Sequence, residues 1–266
     1  MATIGVFDSG VGGLSVWKEI IALLPNESTL YYADNANCPY GEKSQEEVII
    51  LADRVTNFLL SKGSSMIVVA CNTATAAAID FLRAKYPVPF VGMEPAVKPA
   101  ALNSTTGVIG VLATSGTFNG RLFQETSKRF ASDVQMIIQP GNGLVELVES
   151  GDFSSDQVLD LLHHYIDPMI DAGADHLVLG CTHYPFLEKA IQQVSNGQIT
   201  VVNPSPAVAM QVERIYQTLH NSPSKSPFYH FYASGSLTTL QLLVGQIIQS
   251  VPIQGKIRFT THKLSD

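Results

Sequence analysis

Cys71 and Cys181 have the residue type and spacing best suited to chemistry in this chain. Met66-Ile67-Val68-Val69-Ala70 leads into the first and His176-Leu177-Val178-Leu179-Gly180 into the second. Such short apolar runs read as buried strands. A side chain just past the carboxyl end of a strand stands in the crevice where open α/β sheets bind ligands. Where a helix follows, the positive end of its macrodipole helps a thiol lose its proton. A lone cysteine there is commonly a small buried hydrophobe. Two at matching places, in halves that face each other, approach one cleft from opposite sides. That geometry suits inversion of a carbon stereocentre, where a base takes the proton from one face and an acid returns one to the other. Thiolate and thiol can do this in both directions. Asp8, at the end of the first strand, can orient or help deprotonate Cys71, and His183 can do the same for Cys181.

The elements that position these residues alternate β-branched runs with longer amphipathic stretches, which is the pattern of an α/β protein with largely parallel sheets. Thr3–Asp8 reads as a strand running into Ser9-Gly10-Val11-Gly12-Gly13 and a helix over about 14–24. A second strand is expected over 31–34, then an irregular loop to Gly41. Ser44 and Glu47 form a capping-box signal for a helix with Val48, Leu51, Ala52, Val55 and Leu59 on one face, stopped by Gly63. Beyond Cys71 a helix is predicted over about 74–86 and ended by Pro87.

The second half then repeats the first. Ile109-Gly110-Val111-Leu112 echoes Ile4-Gly5-Val6-Phe7 and leads into Thr114-Ser115-Gly116-Thr117. The run before Cys181 echoes the run before Cys71 at nearly the same offset. Ser154 and Gln157 give a capping-box signal for a helix over about 155–172. A helix (about 207–219), a Pro/Ser-rich loop (221–227), a strand (229–232) and a last helix (about 237–250) follow.

Composition removes whole classes of function. The chain has 266 residues, enough for one large domain or two smaller ones. It carries 16 Lys and Arg against 23 Asp and Glu, a net charge of −7, with no basic cluster. That is not the electrostatic footprint of a nucleic-acid binder. No apolar run approaches the ~20 residues that span a bilayer, and the start lacks the marks of a signal peptide. Three cysteines without a CxxC, in a chain too large to need disulfides, fit a reducing cytoplasm. The Gly10–Gly13 loop is neither GxGxxG nor followed by GK[ST], so it is not a nucleotide phosphate loop. Cys181-Thr182-His183 lacks a second ligand pair, and no metal is expected. Nothing marks Lys18, Lys98 or Lys189 as an anchor for pyridoxal phosphate, and no cofactor is expected.

Four stretches carry a resemblance: Phe7-Asp8-Ser9-Gly10-Val11-Gly12-Gly13, Pro39-Tyr40-Gly41, Ala70-Cys71-Asn72-Thr73-Ala74-Thr75 and Gly180-Cys181-Thr182-His183-Tyr184-Pro185. In this order, over nearly the whole chain, they resemble the glutamate racemases of the cofactor-independent aspartate/glutamate racemase superfamily. The resemblance implies two pseudo-symmetric α/β domains with the active site in the cleft between them. The first would be 1–94 completed by 208–266, the second 95–207. It implies a proton donor and acceptor at Cys71 and Cys181, and substrate contacts at Asp8, Ser9, Tyr40, Gly41, Asn72, Thr73, Thr182 and His183. The family's second-domain acid falls on Glu149, with Glu146 close by. The family product, D-glutamate, goes into bacterial peptidoglycan. A homodimer is the assembly left open.

Residue chemistry agrees. An acidic substrate in an acidic protein needs local donors. Backbone N–H groups of Ser9-Gly10 and Asn72-Thr73, at loops entering helices, can cradle anions. Hydroxyls of Ser9, Thr73, Thr114, Thr117 and Thr182 can add hydrogen bonds. Cys38 has no counterpart in the other half and reads as a loop thiol. Asp34, Glu94, His163, His164 and His176 read as structural or solvated. A single-cysteine decarboxylase, an acyl transferase with one nucleophilic thiol and His183 as base, and a two-lobed binder of an acidic amino acid are the competing readings. The second thiol is redundant for all of them.

Overall fold

The computed structural model describes residues 2–131, 133–219 and 226–264. The chain lays down β1 (Thr3–Asp8), β2 (Ser28–Ala33), β3 (Met66–Val69) and β4 (Phe90–Gly92), then β5 (Val108–Ala113), β6 (Gln135–Pro140), β7 (His176–Gly180) and β8 (Thr200–Val202). It returns with β9 (Phe228–Ala233) and β10 (Lys256–Thr261). One sheet has the order β10-β9-β2-β1-β3-β4 and the other β6-β5-β7-β8. All the pairings are parallel. Adding four to each strand number turns β2-β1-β3-β4 into β6-β5-β7-β8, so the sequence echoes mark a repeated topology. β9 and β10 widen the first sheet only.

Parallel strands covered by helices on both faces should be apolar throughout rather than alternating. In β1 and β3, Ile4, Val6, Met66 and Val68 pack into one core cluster, while Phe7, Ile67 and Val69 pack into another on the opposite face. Each such side chain, fully buried, stabilises the fold by about 1.5–3 kcal/mol. The first cluster continues into Leu112, Leu177 and Leu179 of the second sheet, so the two sheets share apolar packing. Trp17 anchors the returning strands, with its ring edge-on to Phe231 at 4.9 Å between centroids.

Several expectations shift. The Ser44–Glu47 capping box forms and starts the helix Gln45–Ser61. In the second half the cap is Ser155, not Ser154: its hydroxyl accepts the Val158 N–H, and the helix is Asp156–Asp171. The helix after Cys71 begins at Asn72, and the one after Pro204 at Ser205. β4, β6, β8 and β10 are additional to the sequence reading. Residues 221–225 of the expected Pro/Ser-rich loop lie outside the described residues.

Candidate active site

Each half presents its cysteine at the same strand end, but the chain continues differently. Cys71 is the N-cap of the helix Asn72–Lys85, with extended backbone and Sγ accepting the Ala74 N–H at 3.4 Å. The sulfur thus fills a role usually taken by Ser, Thr, Asp or Asn, which is why the helix starts early. Ser9 Oγ lies 3.9 Å from it. Cys181 instead enters a turn and the short 3-10 helix Tyr184–Leu187, so no long helix points at it. Its Sγ lies 3.6 Å from His183 Nδ1. The helix-dipole expectation therefore applies to one cysteine only, and even there it is corrected. Burial and the charge of Asp8 push the Cys71 thiol well above its ordinary pKa, outweighing the N–H groups of Ala74 and Ser9.

Asp8 ends β1 fully buried. Its Oδ2 accepts the Gly13 N–H at 2.7 Å and the Thr182 hydroxyl at 3.4 Å, tying the two halves together. Burial raises its pKa despite His183 and the Gly13 N–H. His183 Nε2 lies 2.6 Å from Glu149 Oε1, which also accepts the Val11 N–H at 2.6 Å. Burial opposes a charged ring, but Cys181, Cys38 and Glu149 together hold His183 well above the usual imidazole range. Of the two acids in the helix Leu144–Ser150, Glu149 meets the ring, while Glu146 is exposed.

The glycines are explained by these contacts. A Cβ on Gly10 would overlap the Glu149 carboxylate, and one on Gly12 the His183 ring. The N–H groups of Val11 and Gly13 go to the protein's own carboxylates, so this loop preorganises Glu149 and Asp8.

Both sulfurs line one cavity. With them stand Ser9, Tyr40, Gly41, Asn72 and Thr73 from the first half, and Thr114, Thr182 and His183 from the second. Pro39 and Val145, which sequence reasoning did not single out, complete the wall. Asp8, Glu149 and Thr117 stand behind it. Thr117 Oγ1 bonds Thr114 Oγ1, which bonds Thr73 Oγ1, each at 2.9 Å. Among the described residues no Lys or Arg lines the cavity, and its volume is about 10 Å³, room for about one water.

A supporting layer was invisible in the sequence. Tyr31 donates to the Gly10 carbonyl at 2.9 Å, Ser15 to the Thr182 carbonyl at 3.0 Å and Thr239 to the Glu149 carbonyl at 2.7 Å. Asp34 is buried and accepts the Tyr40 hydroxyl at 2.6 Å, a positioning contact at the rim. His163 and His176 pair with Asp167 and Asp175, Glu94 is exposed, and His164 packs edge-on to Tyr165. Lys18 stands beside Glu19 and Lys98 over the Phe130 ring, away from the cavity. Cys38 is a loop thiol, as expected, and its Sγ lies 4.0 Å from Ser9 Oγ and beside His183 and Glu149. Burial pushes this thiol up to about 11, against the pull of His183.

The profile of the Asp/Glu/Hydantoin racemases matches residues 4–212, a span that includes both cysteines. The chain belongs to that family. It is 52% identical over 215 residues to the glutamate racemase of Pseudomonas aeruginosa, covering 80% of this chain and 81% of that one. Its fold superposes on the glutamate racemase of Escherichia coli solved with L-glutamate and the activator UDP-MurNAc-Ala. The TM-score is 0.85 and the identity 31%, over 98% of each chain. A glutamate racemase from Francisella tularensis, solved with D-glutamate, gives 0.82 at 26% identity over 99% of this chain and 98% of that one. As a member of this family the chain is a cofactor-independent amino-acid racemase, an isomerase. Among its described residues, no helix is long and apolar enough to cross a membrane.

Proposed function

We propose that this racemase interconverts L- and D-glutamate by moving the α-proton between Cys71 and Cys181, and so supplies D-glutamate for peptidoglycan. The observation that carries the reading is that both sulfurs line the same cavity, at equivalent strand ends of two repeated sheets. Relatives solved with L-glutamate and with D-glutamate support the substrate.

The protons balance simply. One cysteine, as thiolate, takes the α-proton and becomes a thiol; the other, as thiol, gives its proton to the opposite face and becomes a thiolate. For the opposite enantiomer the roles exchange. The imidazolium of His183, 3.6 Å from Cys181 Sγ, would stabilise a thiolate there. The raised Cys71 pKa then favours its thiol form in the resting site. The carbanion needs preorganised donors in a site closed to water. The first N–H groups of the helix Asn72–Lys85 can receive a carboxylate, with Thr73 and Thr114 hydroxyls beside them. Asn72 Oδ1, buried without a protein partner, suits the substrate ammonium.

A cavity of about 10 Å³ cannot admit glutamate, so the cleft must open. We assign the moving parts as 1–94 with 208–266, and 95–207. The chain passes between the two sheets after β4 and after β8, which supports a hinge at those crossings.

The test is deuterium uptake at the α-carbon in deuterated water, with L- and D-glutamate and both enantiomers of aspartate. Exchange and inversion are expected with both glutamates. Glutamate binding without exchange, or a covalent intermediate with burst kinetics, would overturn the reading.

A further inference from the structure

The contacts between His183, Glu149 and Cys181 do not require the thiol of Cys38. Yet Cys38 Sγ, a His183 ring nitrogen and a Glu149 carboxylate oxygen all lie within 4.8 Å of one another. In a tetrahedral zinc site, ligand atoms about 2.0–2.3 Å from the metal stand roughly 3.3–3.7 Å apart. The three groups are therefore within about 1 Å of ligating distance. The supports a metal site needs are also present. Val11 N–H fixes the Glu149 carboxylate at 2.6 Å, and Cys181 Sγ holds His183 at Nδ1, so the ring can give Nε2 to a metal in exchange for its bond to Glu149. Cys38 and Glu149 are both partly exposed, which gives a cation a route to them.

We propose that Cys38, Glu149 and His183 form an inhibitory site for a borderline-soft divalent cation such as Zn2+. One thiolate, one imidazole and one carboxylate match the donor preferences of that ion. They leave its fourth position open to water or to a substrate carboxylate. On binding, the Cys38 thiol proton and any imidazolium proton pass to solvent as metal bonds replace them. Occupancy would remove the imidazolium beside Cys181 and lock Glu149, stopping turnover. The ligand geometry stands independently of the proposed racemase mechanism; only the inhibitory consequence rests on it.

The test uses the full-length chain titrated with Co2+ under reducing conditions. A tetrahedral visible spectrum with a near-ultraviolet thiolate-to-cobalt charge-transfer band is expected, bleached by Zn2+. In Cys38→Ser the band should disappear. Loss of an outer-shell partner alone costs about 10–100-fold in affinity, so the Zn2+ concentration for half-inhibition should rise at least about 10-fold. Without metal, the variant's far-ultraviolet circular dichroism and melting temperature should match those of the wild type, showing that it folds. Glu149→Gln should weaken Co2+ binding but keep the charge-transfer band, because the thiolate remains. The proposal is overturned if the wild type binds no Co2+, if the band survives Cys38→Ser, or if Cys181→Ser removes it while Cys38→Ser does not. None of these spectra needs turnover, so a failure here is distinguishable from a failure of the racemase reading.

Discussion

At Cys71 the sulfur caps a 14-residue helix and lies near Ser9 and the buried carboxylate of Asp8, whereas at Cys181 it lies against an imidazole backed by Glu149. The repeated topology sets where each sulfur stands, but the partners are not repeated. Two thiols in equal surroundings would have no fixed division of roles, and the proposed two-base reaction needs one thiolate and one thiol. In the proposed mechanism the unlike partners are what set the two apart. The charged imidazole sits on one side, and burial beside a carboxylate favours the neutral thiol on the other.

Removing either sulfur should have the largest effect. Cys71→Ser and Cys181→Ser should each lower racemisation by about 10³-fold, within the range for loss of a general acid or base. Circular dichroism of L- and D-glutamate interconversion reads this directly, and a near-normal rate in either variant would discard the paired mechanism. Next comes the asymmetry itself. Glu149→Gln removes the acid that holds His183 as imidazolium and should lower kcat by about 10²-fold. His183 has its folded pKa raised, so the charged form is present below that value and is lost as pH rises through it. The alkaline limb of the wild-type pH–rate profile should therefore lie above the range of a free imidazole. In Glu149→Gln it should move to lower pH. An unmoved limb would show that another group titrates there.

Gly12→Ala tests the same side by crowding. The added methyl would overlap the His183 ring and displace it from its contacts with Glu149 and Cys181. Activity should fall by about 10-fold or more, since small misplacements of catalytic groups are costly. The melting temperature should change little if the ring gives way rather than the loop. A wild-type rate would mean that the imidazole position is not critical.

How much of this was legible beforehand follows the same division. Continuous apolar runs announce β1, β3, β5 and β7, and both cysteines and Asp8 are attached to their ends, so the centre of the site could be read. The three-residue strands β4 and β8 are too short to show a period. β6 mixes polar with apolar residues because it is an edge strand, partly exposed. Cys38 reads as a loop thiol and is one, but nothing local records that its loop folds over Ser9. The contacts of Tyr31, Ser15 and Thr239 join residues far apart in the chain, and a hydroxyl's partner across such distances leaves no pattern in sequence. The expectation of a dipole-activated Cys71 failed for a different reason: desolvation is a property of the finished core.

That last point gives the smallest and cleanest effect. Asp8 is completely buried and its folded pKa is raised above the unfolded value. A group of this kind contributes stability below its unfolded pKa and loses it as pH rises through the folded one. At neutral pH an ionised Asp8 is therefore a cost to folding, kept for what it does at the site. Asp8→Asn retains an oxygen to accept the Gly13 N–H and removes the charge. The variant should be more stable than the wild type at pH 7 by about 1 kcal/mol, the usual size of a single-substitution effect. The advantage should shrink as pH falls through the raised folded pKa toward the ordinary carboxylate range. Racemisation should drop at the same time, because Cys71 loses its charged neighbour. Urea midpoints at the two pH values decide it. Equal stabilities at pH 7 would mean that hydrogen bonds fully compensate the buried charge, and the contrast between the two cysteines would then rest on His183 alone.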